Sequence, residues 1–148
     1  MSKLYELEMQ SIEGELVPFS KFRGQNLLIV NLASHCGLTS QYEGLCELHK
    51  QGVVHILGFP CNQFGNQEPG TDADILEFAK SKYNSNFPIF SKIEVNGEKR
   101  LKVWRYDDDF TSLIPVSDLS LSNWVVTDLN LLQLNDFKIS LVAKAFVM

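Results

Sequence analysis

The 148-residue sequence predicts an α/β fold, in which a central mixed β-sheet packs against helices. Two continuous apolar runs, "NLLIVNLA" at 26–33 and "VVHILGF" at 53–59, have the character of strands buried on both faces. Each is followed by a stretch with helical spacing or helix-start signals. The remaining apolar runs, from residue 87 onward, read as strands. Strand, helix, strand, helix and then strands is the order of a mixed sheet with crossover helices.

The elements follow in chain order. "LYELEMQSIEGELVPFSKF" at 4–22 reads as a β-hairpin, two short alternating runs around Glu13-Gly14. After the first buried strand, 39–50 has helical spacing, with Tyr42, Leu45, Cys46 and Leu48 as its apolar positions. "PCNQFGNQEPG" at 60–70 is a loop by its Gly, Pro and Asn content. Thr71 is the expected N-cap of "TDADILEFAKSKY". Asp72 and Asp74 suit its first turn, and Lys80 and Lys82 its last. "FPIFSKIEVNG" at 87–97 reads as a strand closed by an Asn-Gly turn. Two further strands are expected at 123–134 and 136–147.

Composition narrows the function. One domain spanning 1–148 is expected, with 45% hydrophobic and 21% charged residues. The net charge of −5 argues against nucleic acid as a partner, because phosphate binding needs a basic face. No apolar run approaches the ~20 residues of a membrane span, and the N-terminus lacks a signal-peptide core. Three cysteines without a CxxC pair or zinc spacing fit a reducing, cytoplasmic setting better than a disulfide scaffold. No metal or other cofactor is expected.

Cys36 stands out because it falls at the seam between a buried strand and a helix start. Open α/β sheets place their chemistry beyond the C-terminal ends of strands. A helix N-terminus there stabilises thiolates, the nucleophilic form. Position alone leaves two readings, a nucleophile or a buried core thiol. Cys46 reads as packing and Cys61 as structural. His35, His49 and His55 share no metal-ligand pattern, and His55 reads as a satisfied core residue. His35 adjoins Cys36 but points away from it if strand geometry persists, which argues against a Cys-His hydrolase.

"NLASHCGLTSQYEGL" at 31–45, "GFPCNQFGNQEPG" at 58–70 and "FPIFSKIEVNG" at 87–97 closely resemble the glutathione peroxidase family in its cysteine form. "GELVPFSKFRGQNLLIVN" at 14–31 matches the family's hairpin and first core strand. The resemblance implies a thioredoxin-like fold and a thiol-dependent peroxidase acting on hydrogen peroxide or organic hydroperoxides. Cys36 matches the peroxidatic residue, which becomes a sulfenic acid. Gln67 matches the glutamine that hydrogen-bonds the reactive atom, and Trp124 is the corresponding tryptophan.

The sequence also departs from the family. Val125 follows Trp124 where the family has asparagine, and the chain is shortened between His49 and Phe59. Lys80 occupies the place of the resolving cysteine found in thioredoxin-dependent members. Glutathione or another external thiol is therefore the expected reductant, ahead of thioredoxin. The usual C-terminal helix is expected to be missing, which leaves an apolar face either exposed or covered by a second copy of the chain. These departures leave an alternative, a redox-sensing or impaired relative that keeps the fold and the reactive cysteine.

Overall fold

The computed structural model describes residues 3–95 and 98, apart from 26, 38, 53 and 54. The expectations for Trp124, Val125 and the last two strands lie outside the described residues.

The N-terminal hairpin forms where it was expected. Strands β1 (Glu8–Gln10) and β2 (Leu16–Pro18) pair antiparallel, with Met9 opposite Val17. Gly14 sits at φ +94° in the connecting turn, a conformation that costs a residue without Cβ little. The turn is closed by hydrogen bonds from Ser11 N to Glu15 O (2.7 Å) and from Gly14 N to Ser11 O (2.9 Å). One-turn 3-10 segments, Lys3–Glu6 and Phe19–Phe22, flank the hairpin, and the second buries Phe19 and Phe22.

Strands β3 (Leu27–Leu32) and β4 (His55–Pro60) pair in parallel, in register from Leu27 opposite His55 to Leu32 opposite Pro60. The connection between them carries helix α1 (Tyr42–Gln51), which ends on Gly52 at φ +73°. Alternate strand residues enter two separate cores, as the period of two requires. Leu27, Ile29, Leu57 and Phe59 pack with Met9, Phe19, Phe22 and Phe90. Leu28, Val30, Leu32 and Ile56 pack with Leu45 and Leu48 of α1 and with Ile75 and Ala79 of helix α2 (Asp72–Tyr83). The apolar runs are continuous because both sheet faces are covered. Among the described residues, both α-helices cover one face and the hairpin covers the other.

Thr71 caps α2 as expected. Its hydroxyl accepts from Asp74 N at 3.2 Å, and the Asp74 carboxylate accepts from Thr71 N at 2.8 Å, a reciprocal capping box.

The described part of the 87–97 segment, residues 87–95, differs from the strand expected of it. Only an isolated parallel bridge from Ile89 to Gly58 and an antiparallel one from Phe90 to Ser11 form. They still make the pairing mixed, and they stitch β4 to the end of the hairpin. Pro88 has no N–H to donate, so the ladder has little room to extend on that side. On the other side, Ser91 and Lys92 are drawn to the start of α2. Lys92 N donates to Asp72 Oδ1 at 2.9 Å, and the Ser91 hydroxyl bonds the other carboxylate oxygen.

Candidate active site

β3 delivers Cys36 to the C-terminal edge of the parallel pair, through the bend 34–37. The helical chain beyond it begins as a 3-10 turn, Thr39–Gln41, and only becomes α1 at Tyr42. The α-helix proper therefore starts farther from Cys36 than the sequence reading placed it. Thr39 organises the seam instead. Its buried hydroxyl accepts from Cys36 N at 3.0 Å. The single hydroxyl proton is shared between Ala33 O at 2.9 Å and Cys36 O at 2.7 Å. Thr39 N also donates to Cys36 O at 3.1 Å. One side chain thus ties down the backbone on both sides of the half-buried cysteine.

The 61–70 loop reaches the same place from β4. Gly65 and Asn66 both have positive φ, +57° and +52°, which turns the chain back sharply. The carbonyl of Gln67 then accepts from His35 N at 3.0 Å. This bond joins the Cys36 bend to the Gln67 loop at main-chain level. Gln67 is half-buried, and its Oε1 is buried with no hydrogen-bond partner among the described residues. Gln63, two positions beyond Cys61, is exposed, and its Oε1 accepts from Val95 N at 2.8 Å. It braces the loop against the chain that follows.

The other sulfurs sit in different surroundings. Burial is the main cause raising the Cys46 thiol, against weaker lowering by a backbone hydrogen bond from the Asn86 side and by Lys80. Cys61 is 1% exposed, and burial raises its thiol too. Cys61 is thereby closed off as a nucleophile, and Cys46, though half-buried, has its thiol form favoured by burial. Lys80 spends its ammonium on Ser85 O at 2.6 Å. His49 and His55 stack edge to face with centroids 5.0 Å apart. His49 Nδ1 accepts from Ile56 N at 3.1 Å, and burial followed by the His55 charge lowers its pKa. The reading of His55 as a satisfied core residue needs correction. It is half-buried, and its Nδ1 is buried without a hydrogen-bond partner among the described residues.

The sequence reading missed one group. Glu68 is 1% exposed, and its carboxyl lies against Ser34. Desolvation pushes its pKa up to about 7, against lowering by hydrogen bonding to Ser34 and by Lys92. Its backbone is pinned as well, with N donating to Asn62 Oδ1 at 2.9 Å and O accepting from Lys92 Nζ at 3.2 Å. An acid inside a Gly-Asn-Gln loop reads as solvated by default, so only its neighbour Gln67 drew notice.

A thiol carried at the C-terminal edge of a buried parallel strand, ahead of a crossover helix, defines a thioredoxin-like thiol protein. The fold matches the crystal structure of Trgpx in apo form, with a TM-score of 0.53 and 28% identity over 72% of this chain and 64% of that one. It also matches T. cruzi GPX1, with a TM-score of 0.50 and 31% identity over 70% and 63% of the two chains. Residues 4–107 match the glutathione peroxidase family model, and the chain belongs to that family. It is 46% identical to the glutathione peroxidase-like peroxiredoxin gpx1 of Schizosaccharomyces pombe, over 72% of this chain and 69% of the relative. It is 49% identical to glutathione peroxidase-like peroxiredoxin 2 of Saccharomyces cerevisiae, over 71% and 67%. The chain thus spans about two thirds of the length of these curated relatives, and 64% of the Trgpx chain.

Proposed function

We propose that this chain is a thiol-dependent peroxidase that reduces hydrogen peroxide or organic hydroperoxides through Cys36. The Cys36 thiolate attacks one peroxide oxygen and the O–O bond breaks. The other oxygen leaves, takes up a proton and departs as water or an alcohol, and Cys36 becomes a sulfenic acid. One external thiol converts this to a mixed disulfide with loss of water. A second thiol releases Cys36 as a thiol and carries away the disulfide.

The observation that carries this reading is the backbone bond between His35 and Gln67. It brings together the two motifs to which the family resemblance assigns the chemistry. Gln67 is proposed to donate an amide N–H to the reacting sulfur, and Trp124 an indole N–H. The relatives named peroxiredoxins and peroxidases favour turnover over the alternative of a sensor without it. Glutathione or a thioredoxin-like protein is the proposed reductant. The burial of Cys61 and the presence of Lys80 in α2 favour direct attack by a small thiol. A reducing compartment such as the cytoplasm suits three cysteines held as thiols. No helix among the described residues is long and apolar enough to cross a membrane.

Stopped-flow peroxide reduction, with glutathione and thioredoxin side by side, tests the proposal. Cys36→Ser should abolish turnover with both. Gln67→Ala should slow the oxidation step while the protein stays folded. Retained turnover in Cys36→Ser would remove Cys36 from the mechanism.

A further inference from the structure

The chemistry proposed at Cys36 needs the Gln67 amide aimed at the sulfur. Gln67 Oε1 is buried with no hydrogen-bond partner among the described residues, so no bond at that atom supplies the aim. The direction of the amide then depends on the main chain that carries it.

The peptide unit joining Gln67 to Glu68 is fixed at both polar ends. Its carbonyl accepts from His35 N at 3.0 Å, and its N–H donates to Asn62 Oδ1 at 2.9 Å. Upstream, Gln67 N donates to Phe64 O at 3.2 Å. Downstream, Pro69 has no N–H to offer, and the hold comes from a side chain outside the loop. Lys92 Nζ donates to Glu68 O at 3.2 Å and to Gly70 O at 2.5 Å, clasping the carbonyls on either side of Pro69.

Lys92 is itself anchored. Its N–H donates to Asp72 Oδ1 at 2.9 Å, and the Ser91 hydroxyl bonds the other oxygen of that carboxylate. Asp72 opens α2, which packs into the core through Ile75 and Ala79. The lysine thus ties the Gln67 loop to the first turn of a buried helix. A half-buried ammonium that gives two of its three donors to main-chain carbonyls is a brace and not a solvated surface charge. Hydrogen bonds from an ionised donor are roughly twice as strong as neutral ones, which suits this clasp to holding a loop in place.

We propose that Lys92 is a positioning residue for the peroxidatic reaction: by clasping Glu68 O and Gly70 O it fixes the backbone that aims the Gln67 amide at Cys36. The inference rests on Cys36 as the nucleophile and Gln67 as its amide donor. Lys92 has a second influence, on the Glu68 carboxyl, where burial raises the pKa and the ammonium works against it. An effect transmitted that way does not need the amide at position 67.

The test is the second-order rate of Cys36 oxidation by hydrogen peroxide, measured on the full chain by rapid quench and mass spectrometry. Lys92→Met keeps most of the stem and removes the donors. It should slow oxidation about threefold or more, since small misplacements caused far from the reacting atoms can cost up to ~100-fold. In a Gln67→Ala background the same substitution should leave the rate unchanged, because no amide remains to be misdirected. Urea unfolding should show the same loss of stability in both backgrounds, since the carbonyls lose their clasp either way. A folded Lys92→Met oxidised at the natural rate would overturn the proposal. So would equal slowing with and without Gln67, the signature of a purely structural role or of an effect through the Glu68 charge. If Lys92→Met does not fold, Lys92→Gln goes through the same cycle, and failure of both to fold would make Lys92 a structural residue and overturn the proposal as well. Failure of the underlying reading shows separately. Retained turnover in Cys36→Ser would remove the nucleophile, and an unchanged oxidation rate in Gln67→Ala would remove the amide donor.

Discussion

Replacing Thr39 by valine removes one hydroxyl while nearly keeping the shape of the side chain. The structure gives that hydroxyl two jobs, accepting from Cys36 N at 3.0 Å and donating to the carbonyls of Ala33 and Cys36 at 2.9 and 2.7 Å. A net hydrogen bond contributes about 0.5–1.5 kcal/mol, and a buried group left unpaired costs about 1–3 kcal/mol. Cys36 is only half-buried, so water can reach part of what valine abandons. Thr39→Val should therefore cost roughly 2 kcal/mol, toward the middle of those ranges. Urea unfolding measures this directly. Thr39→Ser is the control, since it keeps the hydroxyl and loses one buried methyl worth about 0.8 kcal/mol. If Thr39 orders the seam, Thr39→Val slows peroxide oxidation of Cys36 and Thr39→Ser does so far less. Equal oxidation rates in Thr39→Val and the natural protein would refute the idea that this hydroxyl sets the geometry of the cysteine.

Gly58→Ala should destabilise the protein by about 1–3 kcal/mol through overpacking in denaturant titrations. The new methyl would meet Leu32 Cδ1 at 2.5 Å and the Phe87 ring at 3.1 Å. Glu68→Gln should change how stability depends on pH. A carboxyl raised from 4.5 to about 7 keeps its proton in the folded state after the unfolded chain has released it. Its contribution is thus full below pH 4.5 and is lost as pH rises through about 7. The variant titrates in neither state, so its advantage over the natural protein should grow with pH to at most roughly 3 kcal/mol. A difference in unfolding free energy that stays constant between acid and alkaline buffers would contradict the burial argument. Alkylation at neutral pH, read by mass spectrometry, should label Cys36 before Cys46 and Cys61. Faster labelling of either of those two would conflict with the burial that raises both thiols.

Patterning alone determined much of this protein. The two short apolar runs read as strands covered on both sides, and β3 and β4 are those strands. Thr71, with acids behind it and lysines at the far end, marked the start and polarity of α2 because capping is a local interaction. Gly14 marked the hairpin turn for a similarly local reason, its access to positive φ. The identity of the residues around Cys36 and Gln67 pointed to the family, and the match over residues 4–107 bears this out.

Only the tertiary structure decided the rest. Phe87–Phe90 has strand-forming residues, yet its ladder stops at two bridges, because Pro88 lacks a donor and Asp72, distant in sequence, captures Lys92. The role of Thr39 at the seam depends on the bend that brings Ala33 within 2.9 Å, which no periodicity encodes. Glu68 was invisible for the same reason. A carboxylate in a polar loop looks solvated until the chain folds back and buries it beside Ser34. Burial is a property of the whole packed chain, so the titration of such a group is set by neighbours that the linear sequence keeps far apart.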